Sequence, residues 1–283
     1  MTDPIIHSAA RFICYMALGF GTGLYGTLIG AGGGFILMPI LLLLFPKQSP
    51  DQLTAISLAV VFFNATAGSE SYAIMRRIDY KSGLMFAAAT IPGAIIGALN
   101  TSYVPRRIFD GIFGILLISG AVFLFRRGPE EAKRIRHYHY QVSRHLVEAT
   151  GACFDYSFNP WVGIGLSFVV GYLSSFLGIG GGIIHVPAMT YLLNFPVHVA
   201  TATSHFVLAI MAFTGTMTHV IAGNFSPQQA NLTLSLAIGV LLGAPLGAYV
   251  SGKIRADWIM RSLALALIVV GIRILAQALY GGP

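Results

Sequence analysis

Charge is what this sequence has least of. Only 10% of its 283 residues are Asp, Glu, Lys or Arg, against about 25% in a typical soluble domain, so a water-facing surface cannot be coated. Cysteine is nearly absent as well. Cys14 lies in an apolar run and Cys153 in a polar central stretch, which excludes a disulfide framework and a cysteine-based metal site. There are no heptads and no low-complexity polar tract, so coiled coil and disorder are excluded too. What is abundant is apolar surface: 55% of residues are hydrophobic and the mean hydropathy is +0.75. A bilayer core of ~30 Å takes ~20 apolar residues per helix, and the chain supplies many such runs. It reads as an all-α polytopic membrane protein.

The net charge of +7 does not point to nucleic acid. Basic residues cluster in short stretches between apolar runs, as an inside-positive topology requires. Apolar segments cover 12–45, 54–75, 82–103 and 108–125, then 161–193, 200–223, 230–252 and 257–279. Between these sets no run can span, and Arg126, Arg127, Lys133, Arg134, Arg136 and Arg144 crowd together. We therefore divide the chain into an N-terminal transmembrane repeat (1–125), a basic cytoplasmic linker read as loop (126–160) and a C-terminal transmembrane repeat (161–283). The apolar stretch at the start lacks a basic leader and a cleavage site, so it is read as a retained helix.

The halves repeat each other. Gly30, Gly32, Gly33, Gly34 and Pro39 match Gly178, Gly180, Gly181, Gly182 and Pro187 at one offset. Ala55-Ile56-Ser57 matches Ala202-Thr203-Ser204, Gly68 matches Gly215, and Gly93 and Gly97 match Gly243 and Gly247. Segments 12–45 and 161–193 are longer than one crossing needs, and each holds its glycine cluster near the middle, where glycine disfavours helix. Each is read as a broken helix. Non-helical backbone at membrane depth survives only inside protein or against a wet cavity. If both pieces cross, each repeat has five transmembrane segments and the halves are inverted; if the pair makes one crossing or re-enters, each has four and the halves are parallel. Grouping Arg76, Arg77, Lys81, the linker, Lys253 and Arg255 on one side favours inversion, although Arg106 and Arg107 then lie opposite.

The glycine clusters fit neither a dinucleotide fingerprint, for want of strand and acidic context, nor a phosphate loop, since Phe35 and Ile183 stand where Lys would be needed. Gly26/Gly30, Gly93/Gly97 and Gly239/Gly243/Gly247 have the spacing of close helix packing. Consecutive glycines followed by a restarted helix also make an anion seat, worth ~0.3–1 kcal/mol per charge when exposed. Broken helices at matching places in two repeats are the best sequence pointer to a transporter's substrate site. Gly32, Gly33, Gly34, Gly180, Gly181 and Gly182 are accordingly candidate substrate-binding residues.

Two modules that each open with Gly-x-Gly-Gly-Gly and a downstream proline resemble the sulfite exporter TauE/SafE family of membrane transporters. The resemblance runs from about Phe20 to Ala276. It implies a multi-pass protein of the cytoplasmic (inner) membrane that exports a small sulfur-containing anion, sulfite or an organosulfonate such as sulfoacetate. It leaves the exact anion, the direction and the coupling ion open.

Polar groups inside the apolar runs cost at least ~2.5–3.5 kcal/mol when charged, so each needs a reason. Ser57 and Ser204 occupy repeat-matched positions and are candidate hydroxyl donors, with Asn64 and Thr66 mid-run nearby. His205 adjoins Ser204 and is a further substrate-binding candidate, because a neutral imidazole donates to an oxyanion. Glu70, His185 and His219 are candidates for coupling or gating, the alternative for Glu70 being a pair with Arg76 or Arg77. No cofactor, metal or nucleic acid is expected; the bilayer, a small anion and a second copy of the chain are the expected partners. A passive anion channel is the rival function. An intramembrane enzyme is disfavoured, because adjacent Ser204 and His205 diverge on a helix and no orienting carboxylate accompanies them. Replacing Gly33 or Gly181 by a bulky residue is expected to abolish transport while leaving membrane insertion intact; unchanged flux in both variants would remove the turns from the site.

Overall fold

The computed structural model describes residues 4–126, 140–225, 227–253 and 256–280. Among these residues ten helices form: α1 (Pro4–Ile29), α2 (Gly34–Leu44), α3 (Pro50–Ile74), α4 (Tyr80–Thr101), α5 (Arg106–Arg126), α6 (Pro160–Leu177), α7 (Gly182–Leu192), α8 (Val197–Ile221), α9 (Pro227–Ser251) and α10 (Ala256–Tyr280). Six of them are long and apolar enough to cross a membrane. Both long apolar segments are broken at their glycines, α1 from α2 and α6 from α7, so the expected breaks are present. Arg255 and residues 127–139 of the linker lie outside the described residues.

The first break is a true reversal. Gly30, Gly32 and Gly33 take positive φ values of 75–80°, a region that side-chain-bearing residues enter at a cost of about 1–2 kcal/mol each. Gly33 thereby comes to rest against the backbone of Thr22, and Gly26 against Gly33, so α2 heads back alongside α1 instead of extending it. Gly178 and Gly180 turn the second break in the same way.

Packing interleaves the two halves. Gly93 and Gly97 of α4 sit on the backbone of Phe168, Tyr172 and Phe176 in α6, in ascending order on both helices, so α4 and α6 run in the same direction. Gly239, Gly243 and Gly247 of α9 do the same against Met16, Phe20, Leu24 and Leu28 of α1. The close-packing reading of these glycines is therefore right. Repeat-matched helices run oppositely: Gly68 of α3 meets His205 of α8 while Gly215 meets Leu58, and Gly114 of α5 meets Leu275 of α10 while Gly120 meets Leu267.

One part of the linker reading needs correction. Val142–Val147 and Cys153–Phe158 form an antiparallel hairpin, β1 and β2, with Val142 opposite Phe158 and Val147 opposite Cys153. The alternating burial of β1, with Leu146 turned inward between exposed neighbours, shows why it folds: one face has a core to cover. Cys14 and Cys153 are both free and exposed.

Glycine contacts of this kind give a direct test. Gly243→Ala, whose Cβ would run into the backbone of Phe20, is expected to destabilise the detergent-solubilised protein by about 1–3 kcal/mol, the usual cost of overpacking. Gly21→Ala, with open space around its Cβ, should leave the melting temperature unchanged or raise it.

Candidate functional site

The two glycine turns meet. A Cβ on Gly34 would collide with the backbone of Ile179, and one on Gly182 with that of Gly30 and Ala31. Val61 of α3 and Leu208 of α8, a repeat-matched pair, pack on Gly32, Gly34 and Gly180 from the sides. Gly30 to Gly34 and Gly178 to Gly182 are all buried. The six glycines predicted as site residues therefore converge at one place, where α2 and α7 begin, between α3 and α8.

The backbone donors at the turns are unequally occupied. The amide of Gly181 donates to Ser174 Oγ, and those of Ala31 and Gly32 donate to the carbonyl of Gly26. The amides of Gly33 and Gly34, at the start of α2, find no acceptor among the described residues. A buried N–H without a partner is rare in folded proteins and asks for an acceptor from elsewhere.

Ser57 and Ser204 occupy equivalent positions but behave differently. Ser57 Oγ donates to the carbonyl of Gly178 at 2.6 Å, stitching α3 to the second turn. Ser204, fully buried, has no partner for its Oγ among the described residues. His205 is also fully buried, with Nε2 3.2 Å from Thr27 Oγ1. Thr27 Oγ1 donates to Asn64 Oδ1 at 3.1 Å and shares its hydrogen bond with His205 through Nε2. Among the described residues, His205 Nδ1 and Asn64 Nδ2 have no hydrogen-bond partner. Tyr72 closes the group, donating to the carbonyl of Thr27 at 2.7 Å and presenting its ring edge-on to His205.

The remaining candidates do not join this cluster. His185, on α7, lies 3.3 Å from Ser167 Oγ with Phe86 beside its ring, and His219, near the end of α8, lies 3.3 Å from the side-chain nitrogen of Asn224. Glu70 is exposed on α3, and Arg77, one of its expected partners, instead pairs with Glu148 at 3.1 Å. Thr66 hydroxyl donates to Phe62 of its own helix. Sequence reasoning missed Thr27, Tyr72 and Ser174. A threonine and a serine one turn before each glycine cluster were the available signal.

A separate cavity of about 710 Å³ opens at the end of the molecule where α1, α3 and α9 start. Among the described residues its lining includes Arg11, Gln48, Gln52, Gln229 and Ser235, with no acidic residue and none of the predicted site residues.

Broken helices facing each other inside a membrane bundle, with the repeat carried through them, match a known pattern of sequence. The family described as sulfite exporter TauE/SafE matches residues 15–274. The chain belongs to this family. It is 33% identical over 275 residues to the probable membrane transporter protein YunE of Bacillus subtilis, covering 95% of this chain and 99% of that one. A probable membrane transporter protein of Methanocaldococcus jannaschii is 26% identical over 266 residues, covering 90% and 92%. One from Xylella fastidiosa is 24% identical over 257 residues, covering 91% and 90%. No solved structure matches. The protein is a multi-pass membrane transporter of this family.

The unequal serines predict unequal losses. Ser57→Ala should lower stability by about 0.5–1.5 kcal/mol by removing a buried hydrogen bond. Ser204→Ala, which breaks no bond, should change thermal stability in detergent by less than Ser57→Ala does.

Proposed function

We propose that the chain carries a small sulfur-containing anion, sulfite or an organosulfonate, across the cytoplasmic membrane by alternating access, with the substrate seated where the two glycine turns meet. The observation that carries the reading is the unspent donor capacity at that meeting point: the amides of Gly33 and Gly34 at the start of α2, and the hydroxyl of Ser204. The positive end of a helix dipole adds to each turn. His205, bound through Nε2 to Thr27, would rotate or change tautomer to donate to the same anion. The sulfite in the family's name supports the substrate class, and the scarcity of Lys and Arg around the turns suits a weakly held, releasable anion.

The inverted arrangement belongs to the same reading. Repeat-matched helices run in opposite directions, and α1 with α2 forms a pair that turns back, so three further helices per repeat return the chain on the opposite face. A re-entering pair thus gives inverted halves as well; it does not give the parallel halves expected from sequence, because a pair that goes in and out adds no net crossing. Arg76, Arg77, Lys81, Arg144 and Lys253 gather at the hairpin end, which supports placing that end in the cytoplasm. Direct contact between the turns favours a carrier over an open pore.

The test is thermal stability of the purified protein against sulfite, thiosulfate, sulfate, sulfoacetate, taurine, phosphate and acetate at fixed ionic strength. A ligand that binds only the folded state stabilises it by ~2.7 kcal/mol at a hundredfold excess over its dissociation constant. A shift with sulfur oxyanions or sulfonates that disappears in Ser204→Ala and His205→Gln is the expected result. A shift that persists in both variants would move the site elsewhere, and no shift with any sulfur anion would remove the substrate class.

A further inference from the structure

Repeat symmetry pairs the lining of the open cavity with a second set of residues at the other end of the molecule. The offset that matches Ala55 to Ala202 matches Gln48 to Phe195 and Gln52 to Val199. The offset that matches Gly93 to Gly243 matches Asp79 to Gln229 and Met85 to Ser235. A vestibule equivalent to the open one is thus expected where α4, α6 and α8 start. Instead, the β1–β2 hairpin fills that place. Tyr156 lies 4.5 Å from Phe195 and Phe158 5.1 Å from it, ring centre to ring centre. Phe86, Val199 and Met85 belong to the same apolar cluster as the two hairpin aromatics.

Polar contacts hold the hairpin in position, and they reach both repeats. Tyr156 donates to Asp79 Oδ2 at 2.8 Å, and burial together with that carboxylate raises the phenol's pKa, so it stays a donor across the physiological range. Arg144 donates through Nε to Ser82 Oγ at 3.1 Å and lies 3.4 Å from Asp79 Oδ2. At the hairpin turn Glu148 pairs with Arg77, both nearly buried, and the amide of Ala149 donates to Met75. On the second repeat, Asn194 donates to the carbonyl of Ser157 at 2.8 Å. Helix α4 belongs to the first repeat and the α7–α8 connection to the second, so the hairpin staples together two parts that must separate for a vestibule to open between them.

We propose that the β1–β2 hairpin is a plug: it occupies the vestibule that repeat symmetry places beside α4, α6 and α8, and must withdraw before the transport site opens toward that end. The Asp79–Arg144–Tyr156 group and the Arg77–Glu148 pair are its latch. The structure then has its vestibule filled at the hairpin end and open at the other. This deepens the carrier reading and rests on it, but its test reads access and not transport, so each can fail alone.

The experiment uses the full chain with Cys14→Ser and Cys153→Ser, in membrane fragments open on both faces. Single reporters Val199→Cys, under the plug, and Gln52→Cys, its counterpart in the open cavity, react with a water-soluble, membrane-impermeant maleimide. With the latch intact, Gln52→Cys should label at least about tenfold faster than Val199→Cys. Adding Arg144→Met and Glu148→Gln should raise the Val199→Cys rate at least about tenfold and leave Gln52→Cys unchanged; that unchanged rate also reports that the double variant is folded. Tyr156→Phe, a milder change, should give an intermediate rate. Equal labelling of the two reporters with the latch intact, or no acceleration in both latch variants, would overturn the plug.

Discussion

Everything in this architecture depends on backbone touching backbone where the two glycine turns meet. Gly34 against Ile179 and Gly182 against Gly30 leave no room for a methyl group, so the contact exists only because side chains are missing there. Inside a bilayer this closeness replaces the hydrophobic drive that assembles soluble cores, since lipid is as apolar as the helices themselves. The same device recurs at the α1–α9 and α4–α6 seams. It also leaves polar backbone groups at the centre, which a packed leucine core would not do.

Much of this was legible in the sequence. The two breaks, the repeat and the packing glycines follow from glycine spacing within apolar runs, because a helix interrupted at membrane depth leaves no other economical reading. The hairpin was not read. Its strands alternate as half-buried strands do, but His145 and Asp155 occupy exposed positions, Arg144 turns inward only to reach Asp79, and in the sequence these charges blend with the basic stretch before them. The linkage of Thr27 to Asn64 and His205 was out of reach for a different reason. Its members are far apart in the chain, and a threonine inside a membrane helix ordinarily bonds its own backbone, as Thr22 and Thr66 do here.

The duplicated halves have drifted apart chemically while keeping their backbone in register. Thr27, Asn64, Tyr72 and His205 have the repeat counterparts Ser175, Met211, His219 and Leu58. One turn is thus buttressed by a hydrogen-bonded polar group and the other by Leu58 and Met211. A two-fold symmetric site would treat both faces of the membrane alike. Here the hydrogen-bonded group of Thr27, Asn64, Tyr72 and His205 has no equivalent linked group at the other turn among the described residues, so the two turns are not chemically alike.

The interleaved packing also bears on how the chain is made. Helix α1 is synthesised first, yet the surface that covers its glycine face belongs to α9, near the end of the chain, and α4 likewise waits for α6. The main packing surface for the first helix of each half lies in the other half, α9 for α1 and α4 for α6. The α1–α9 seam can therefore close only once α9 has emerged from the ribosome. Two half-length polypeptides made separately would face the same wait and could meet the same end. In that sense the covalent link between the halves serves delivery more than folding.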